Sequence, residues 1–381
     1  MKWPISWTIS HRPLVTDLIA TRLTLSRREG VPDLEDCLTA TSAQLPQLRT
    51  NWDAISAAIE AYAHASISSI RLASKRVIHV ETVAGLSFAV KFGNPSAPLA
   101  REVSTLRFLK GAKCPVPAVI PTNVTHGEPE WIATEWGGNR TLDAFLDQCT
   151  ESQADLAGLQ LATAIAQIEG AFAQVTRQGV PGAARQMAIK LLEPWADHAA
   201  DGLAWLFASE ATDRLRMAVD RVVKTALSAS LTAGPLDYHA SNVVVSNSGL
   251  RLSVVDLGAI GYDWPGRRLA QYAMSVQSGV PGGRFWTALT PASVTQFAGA
   301  LAQIHTGDSG SHVNELDAHA LLIGAIAATQ LRAVSTGAAS AERTVAWGAS
   351  ETRITSLRTV ILRTLSGDGP ANDVRELLAR T

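Results

Sequence analysis

Apolar residues recur at helical spacing in the segment Asn51–Ala65, where Trp52, Ile55, Ile59 and Tyr62 fall on one stripe. Thr50 or Asn51 is the expected cap of that helix. From Ser66 the pattern changes to short runs rich in Ile, Val, Ser and Thr, separated by small or polar residues. These runs predict antiparallel strands, with Val77–Thr82 and Ser87–Phe92 joined at Ala84-Gly85 and a further strand before them. The second run ends in Ala-Val-Lys, on Lys91. A helical stripe returns with Leu99, Val103, Leu106 and Leu109 or Phe108, and Glu102 sits in its first turns. Pro115, Pro117 and Pro121 then predict an extended connection, Glu130–Thr134 a buried strand, and Glu135-Trp136-Gly137-Gly138 a break with the look of a hinge.

Beyond Arg140 the chain turns Ala-rich and helical, most clearly over Leu142–Leu146 and Leu156–Val175, with at least one helix within Trp195–Leu231. The stretch Gly234–Asp263 interrupts this texture. Its apolar runs Val243–Val245 and Leu252–Val255 predict a hairpin turning at Asn247-Ser248-Gly249. Helices resume after Pro265, with breaks at Pro281-Gly282-Gly283, Pro291, Gly307–Gly310 and Gly367–Pro370. The convincing domain break falls near 136–140. The expected fold class is α+β: a helical extension over 1–65, an antiparallel unit with one helix over 66–136, and a larger helical unit over 137–381.

Length and composition narrow the class. At 381 residues the chain is long enough for two or three packing units, at about 150 residues each. An apolar share of 46% with 18% charged residues is that of an ordinary globular protein. A net charge of −1 provides no basic field, so a nucleic-acid partner is not expected. Cys37, Cys114 and Cys149 are scattered without metal-ligand spacing and read as small packing residues. Trp3, Pro4 and Trp7 read as a tacked-down arm, and no basic-then-apolar signal pattern follows them. No uninterrupted apolar run approaches the ~20 residues that span a bilayer, so the expectation is a cytoplasmic protein with no membrane partner. The nucleophile elbow G-x-S-x-G, the zinc helix H-E-x-x-H, C-x-x-C and a G-x-G-x-x-G in strand–helix context are absent.

What remains is the interrupting stretch. Asp237 and Asn242 have D-x-x-x-x-N spacing, and Asp256 opens Asp-Leu-Gly after the second apolar run. A hairpin returns the chain to its origin, so the residues before and after it meet. Phosphoryl transfer needs a carboxylate at the attacking hydroxyl and hard oxygen ligands for Mg²⁺ on the nucleotide phosphates. The plainer reading of each residue is a turn cap or a loop start.

The run Pro235-Leu236-Asp237-Tyr238-His239-Ala240-Ser241-Asn242, followed by Val254-Val255-Asp256-Leu257-Gly258, resembles the aminoglycoside phosphotransferase and choline kinase family. That resemblance covers roughly residues 66–275 and implies a bilobal protein-kinase-like fold, with ATP or GTP and Mg²⁺ as cofactors. It implies transfer to a hydroxyl of a small molecule such as an antibiotic, sugar or amino alcohol. Asp237 is implied as catalytic base, and Asn242 and Asp256 as metal ligands. Lys91 is implied as the phosphate-holding lysine, Glu102 as its ion-pair partner, and Glu135–Gly137 as the hinge that bonds adenine. Alone, Lys91 reads equally as a solvated strand end and Glu102 as part of a wet helix face. His239 reads as a support for the loop or as a packed neutral histidine.

The chain departs from the family pattern in three places. Pro235-Leu236 replaces His-Gly before the catalytic Asp. The phosphate-covering turn Leu72-Ala73-Ser74-Lys75-Arg76 lacks glycine, leaving Ser74 and the basic pair as side-chain substitutes. Arg268 stands where many relatives carry the Asp of Asp-Leu-Ala. These departures keep a second expectation open, a catalytically impaired nucleotide-binding pseudokinase acting through a protein partner. Glu193, Asp197 and Asp201 read either as attraction for a cationic acceptor or as a solvated helix face.

Overall fold

Trp52, Ile55 and Ile59 form one buried stripe on helix α1 (Pro46–Ala63), which begins before the expected cap. In this computed structural model the described residues are 46–74, 76–93, 99–120, 130–246, 251–275, 283–348 and 350–380. The arm at Trp3–Trp7, Cys37, Lys75, Pro121, the turn at 247–249 and Pro281-Gly282 lie outside them. The α1 stripe packs on a four-stranded sheet in the order β1 (Ile67–Ser74), β2 (Val77–Thr82), β3 (Ser87–Phe92), β4 (Trp131–Glu135). β2 is antiparallel to both β1 and β3. Ile59, Ile70, Val80, Phe88, Val90 and Trp131 share one core, each worth about 1.5–3 kcal/mol on full burial. In β3 the buried positions are Phe88, Val90 and Phe92. Strand alternation therefore places Ser87, Ala89 and Lys91 on the opposite face.

His79 on β2 is also buried, and its Nδ1 accepts a hydrogen bond from Arg71 Nε at 2.9 Å. Burial, then the Arg71 charge, lowers its pKa from 6.5 to about 4. The unfolded chain therefore binds more protons than the fold between those values. Stability is fully present above about pH 6.5 and declines as pH falls toward about 4, by up to about 3 kcal/mol. Urea unfolding at neutral and acid pH should show that loss, and His79→Leu should flatten it. An unchanged pH slope in the variant would remove His79 as its source.

By packing, the sheet unit comprises the described residues to Gly93 with Ile120 and Glu130–Thr134, and the remainder forms a second, larger unit. That second unit includes α2 (Ala100–Gly111), β5 (Arg140–Thr141), α3 (Leu142–Leu146), α4 (Glu151–Arg177), α5 (Gly182–Leu192), α6 (Trp195–Phe207) and α7 (Thr212–Ser228). The β interruption follows as β6 (Thr232–Pro235), β7 (Val243–Val245), β8 (Leu252–Val254) and β9 (Ile260–Asp263). Then come α8 (Pro265–Ala273), α9 (Pro291–His305), α10 (Ser309–Ser335), α11 (Ala341–Trp347), α12 (Glu351–Thr364) and α13 (Asn372–Ala379).

Thr150 starts α4 with a capping box, accepting from Gln153 N while the Gln153 side chain accepts from Thr150 N, a reciprocal arrangement that satisfies two end donors. Helices α4 and α10 are long and apolar enough by composition to cross a membrane, although Glu169 and Glu315 interrupt their apolar runs. Most of each is buried in the unit, α10 between α6, α8, α9 and α12. Cys114 and Cys149 are buried free thiols raised by burial, Cys114 to about 11, which suits packing rather than reactivity.

Candidate active site

Two short antiparallel ladders frame the interrupting stretch. β6 pairs with β9, ending at Pro235↔Ile260, and β7 pairs with β8, starting at Val243↔Val254. Between them, residues 236–242 and 255–259 run side by side, tied at both ends. Leu236 N donates to Ala259 O at 2.9 Å and Val255 N to Asn242 O at 2.8 Å. Asp237 and Asn242 lie on the first segment and Asp256 on the second, so the hairpin does return Asp256 to the neighbourhood of the pair.

The first segment is braced internally. Asn242 Nδ2 donates to the Asp237 carbonyl at 3.1 Å, and the Tyr272 hydroxyl of α8 donates to the same oxygen at 3.3 Å. Asn242 N closes a 3-10 turn on His239 O at 2.8 Å. The Asp237 carboxylate is left to a different partner: its Oδ1 lies 3.1 Å from His239 Nε2. Gln271 Nε2 stands 3.5 Å from the other ring nitrogen of His239. His239 thus supports the loop. Burial pushes the Tyr272 hydroxyl upward in pKa, and the carboxylates of Asp237 and Asp256 both push the same way. Asp256 itself holds φ +59°, a left-handed backbone that Asp tolerates better than most residues.

Glu102 on α2 is 5% exposed, and a Cβ built on Gly258 would lie 3.9 Å from its Oε2. The buried acid of α2 therefore sits against the Asp-Leu-Gly segment. It is not part of a wet helix face. Glu135 N donates to Ala118 O at 2.9 Å, and its Oε2 accepts from Ala118 N at 3.3 Å. Gly137 and Gly138 lie on the β7–β8 hairpin. A Cβ on Gly138 would meet Val245 O at 2.4 Å, so only glycine permits that approach. In the sheet unit, Lys91 is half-buried on β3, and Ser74 is exposed at the end of β1.

Beneath the loop lies a layer that sequence reasoning missed. Tyr238 is buried with its hydroxyl on Asp263 Oδ2, and Arg267 stacks over both Trp195 at 5.0 Å and Tyr238 at 5.7 Å. Arg268 is 1% exposed and bonds Glu169 on α4, which is equally buried. Arg268 was visible as a departure from the family pattern. Its partner Glu169 was not, because a Glu in an Ala-rich helix carries no mark of burial. Asp201, one of the acidic candidates for a cationic acceptor, pairs with Arg216 at 2.9 Å.

A family model described as the phosphotransferase enzyme family matches residues 67–273, more than half of the chain. No curated protein matches. Among solved structures, aminoglycoside phosphotransferase from Alicyclobacillus acidocaldarius is 12% identical, covering 82% of this chain and 91% of its own, with a TM-score of 0.45. Macrolide 2'-phosphotransferase MphH from Brachybacterium faecium is 15% identical over 79% of this chain and 98% of its own, with a TM-score of 0.43. A small antiparallel-sheet unit and a mainly helical unit, with the family's motifs in order along them, make this the protein-kinase-like α+β fold. By the family match, the chain belongs to the phosphotransferase enzyme family.

Proposed function

We propose that the protein transfers the γ-phosphoryl group of ATP to a hydroxyl of a small molecule, with Mg²⁺. The observation that carries this reading is the interlocking of Asp237, Asn242 and Asp256 between the two ladders. In it, Asp237 orients the acceptor hydroxyl and takes its proton, with His239 fixing the carboxylate. Lys91 and Glu102 keep the roles of phosphate-holding lysine and its acidic partner. Ser74 lies at the phosphate-covering turn, and Glu135–Gly137 form the adenine hinge.

The donor set fits Mg²⁺. Asn242 commits its amide nitrogen to Asp237 O, which leaves the amide oxygen as its ligand atom, and Asp256 adds a carboxylate. Among the described residues no cluster of three or more His, Cys, Asp and Glu builds a closed metal cage. One or two protein oxygens plus substrate phosphates is the usual way Mg²⁺ is held. When bound it would neutralise charge on the transferring phosphate.

Phosphate release and product mass should be measured with ATP and GTP against a panel of aminoglycosides, other antibiotics, sugars and amino alcohols. Transfer to at least one hydroxyl is expected. Tight Mg²⁺-dependent nucleotide binding without transfer to any acceptor would instead favour the pseudokinase reading. Asp256→Asn retains the left-handed backbone conformation and removes the charge. It is expected to weaken Mg²⁺-dependent nucleotide binding by roughly 10–100-fold, read by calorimetry at varied Mg²⁺. Unchanged Mg²⁺ dependence would remove Asp256 as a ligand.

A further inference from the structure

The strand that delivers Asp237 is poorly held by its own ladder. Among the described residues β6 pairs with β9 alone, and two-stranded ribbons are marginal. It also ends on Pro235, which has no N–H to give the ladder. Arg268 compensates from α8. Its Nε donates to Pro235 O at 3.0 Å, and Nη2 donates to Thr232 O at 2.5 Å and Asp263 O at 3.2 Å. Nη1 donates to Thr232 Oγ1 at 2.8 Å and to Glu169 Oε1. A guanidinium has five N–H donors, and these bonds occupy all of them. Thr232 Oγ1 in turn donates to Glu169 Oε2 at 2.7 Å. The guanidinium lies on Gly234 so closely that a Cβ there would meet Arg268 Cζ at 2.8 Å.

From this geometry we infer that Arg268, held by Glu169, is the positioning residue of the phosphoryl-transfer loop. It fixes the carbonyls of Thr232, Pro235 and Asp263, and through them the place of Asp237. The catalytic meaning rests on the function proposed above. Arg268 touches no reacting group; its action passes through the Pro235 carbonyl, two residues before the base. A buried, fully bonded guanidinium has one stable orientation, since leaving any donor unpaired in that interior is costly. Both ladder ends are therefore pinned to α4. This also explains how Pro235-Leu236 can stand before the catalytic Asp: the support enters from the helix side instead of from the loop.

The test compares Arg268→Lys and Glu169→Gln with wild type. Lysine keeps the charge beside Glu169 but loses the fork to the backbone carbonyls. Expected for Arg268→Lys is a kcat lower by about 10²-fold per nucleotide-binding site, with KM for nucleotide and acceptor unchanged. A purely structural role would lower the yield of folded enzyme and leave kcat per site intact, and that result would overturn the inference. Where Arg268→Lys does not fold, Glu169→Gln decides. It preserves shape and one acceptor oxygen, so a drop in kcat at constant KM supports the inference and wild-type kcat overturns it. Where wild type transfers phosphate to nothing, the function has failed and the positioning role is read separately by amide hydrogen exchange. Faster exchange across residues 234–242 with unchanged exchange in α12 supports the role, and equal exchange in both overturns it.

Discussion

Replacing Asp237 by Asn is expected to lower phosphoryl-transfer turnover by about 10²–10⁴-fold, while nucleotide affinity and thermal stability stay close to wild type. Asparagine keeps the size of the side chain and, through its amide oxygen, an acceptor for His239 Nε2, which lies 3.1 Å from the carboxylate. What is lost is the charge and the ability to take a proton. The loop should not collapse, because its braces hold the Asp237 carbonyl and not the carboxylate. Those braces are Asn242 Nδ2 at 3.1 Å and the Tyr272 hydroxyl at 3.3 Å. The separation of chemistry from folding makes this a clean measurement. Steady-state kinetics with calorimetric nucleotide binding suffices, and a variant with wild-type turnover would remove Asp237 as the base.

The second large effect concerns stability. Gly158 sits within α4, where Ala would ordinarily stabilise the helix by about 1 kcal/mol. Here the sign is expected to reverse. A Cβ at 158 would lie 1.8 Å from Ala288 O and 2.8 Å from Ala288 C. That carbonyl cannot swing away cheaply, since Ala288 N is bonded to Ala273 O at 2.9 Å and Ser293 Oγ donates to Ala288 O at 3.3 Å. Backbone must move, at a cost on the order of 3 kcal/mol, lowering Tm by roughly 6–12 °C. Gly170, later in the same helix, is the control. A Cβ there would meet only Ile304 Cδ1, at an ordinary 3.7 Å. Gly170→Ala should be neutral or stabilising, and equal thermal shifts for the two variants would disprove the packing argument.

Much of this protein was legible along the chain because the relevant physics is local. The short β-rich runs and the turn at Ala84-Gly85 marked β2 and β3, with Lys91 near the strand end, and the stripe of Trp52, Ile55 and Ile59 marked α1. Val243–Val245 and Leu252–Val255 were readable as a hairpin, observed as Val243–Val245 with Leu252–Val254, so the return of Asp256 to the neighbourhood of Asp237 and Asn242 followed from turn geometry within one short stretch. That α1 belongs to the core of the sheet was not readable, since an apolar stripe states that a partner exists and not which one it is. The same limit hid the closeness of Glu102 to Gly258, and the pairing of β6 with β9. It hid the pairing of Arg268 with Glu169 most completely, 99 positions apart in the chain. In sequence Arg268 stood out only as a departure from the family pattern, and Glu169 was an ordinary helix charge. Whether a charge is solvated or buried depends on what the folded chain brings to it, so only the tertiary structure turned these two residues into the support of the strands that flank residues 236–242.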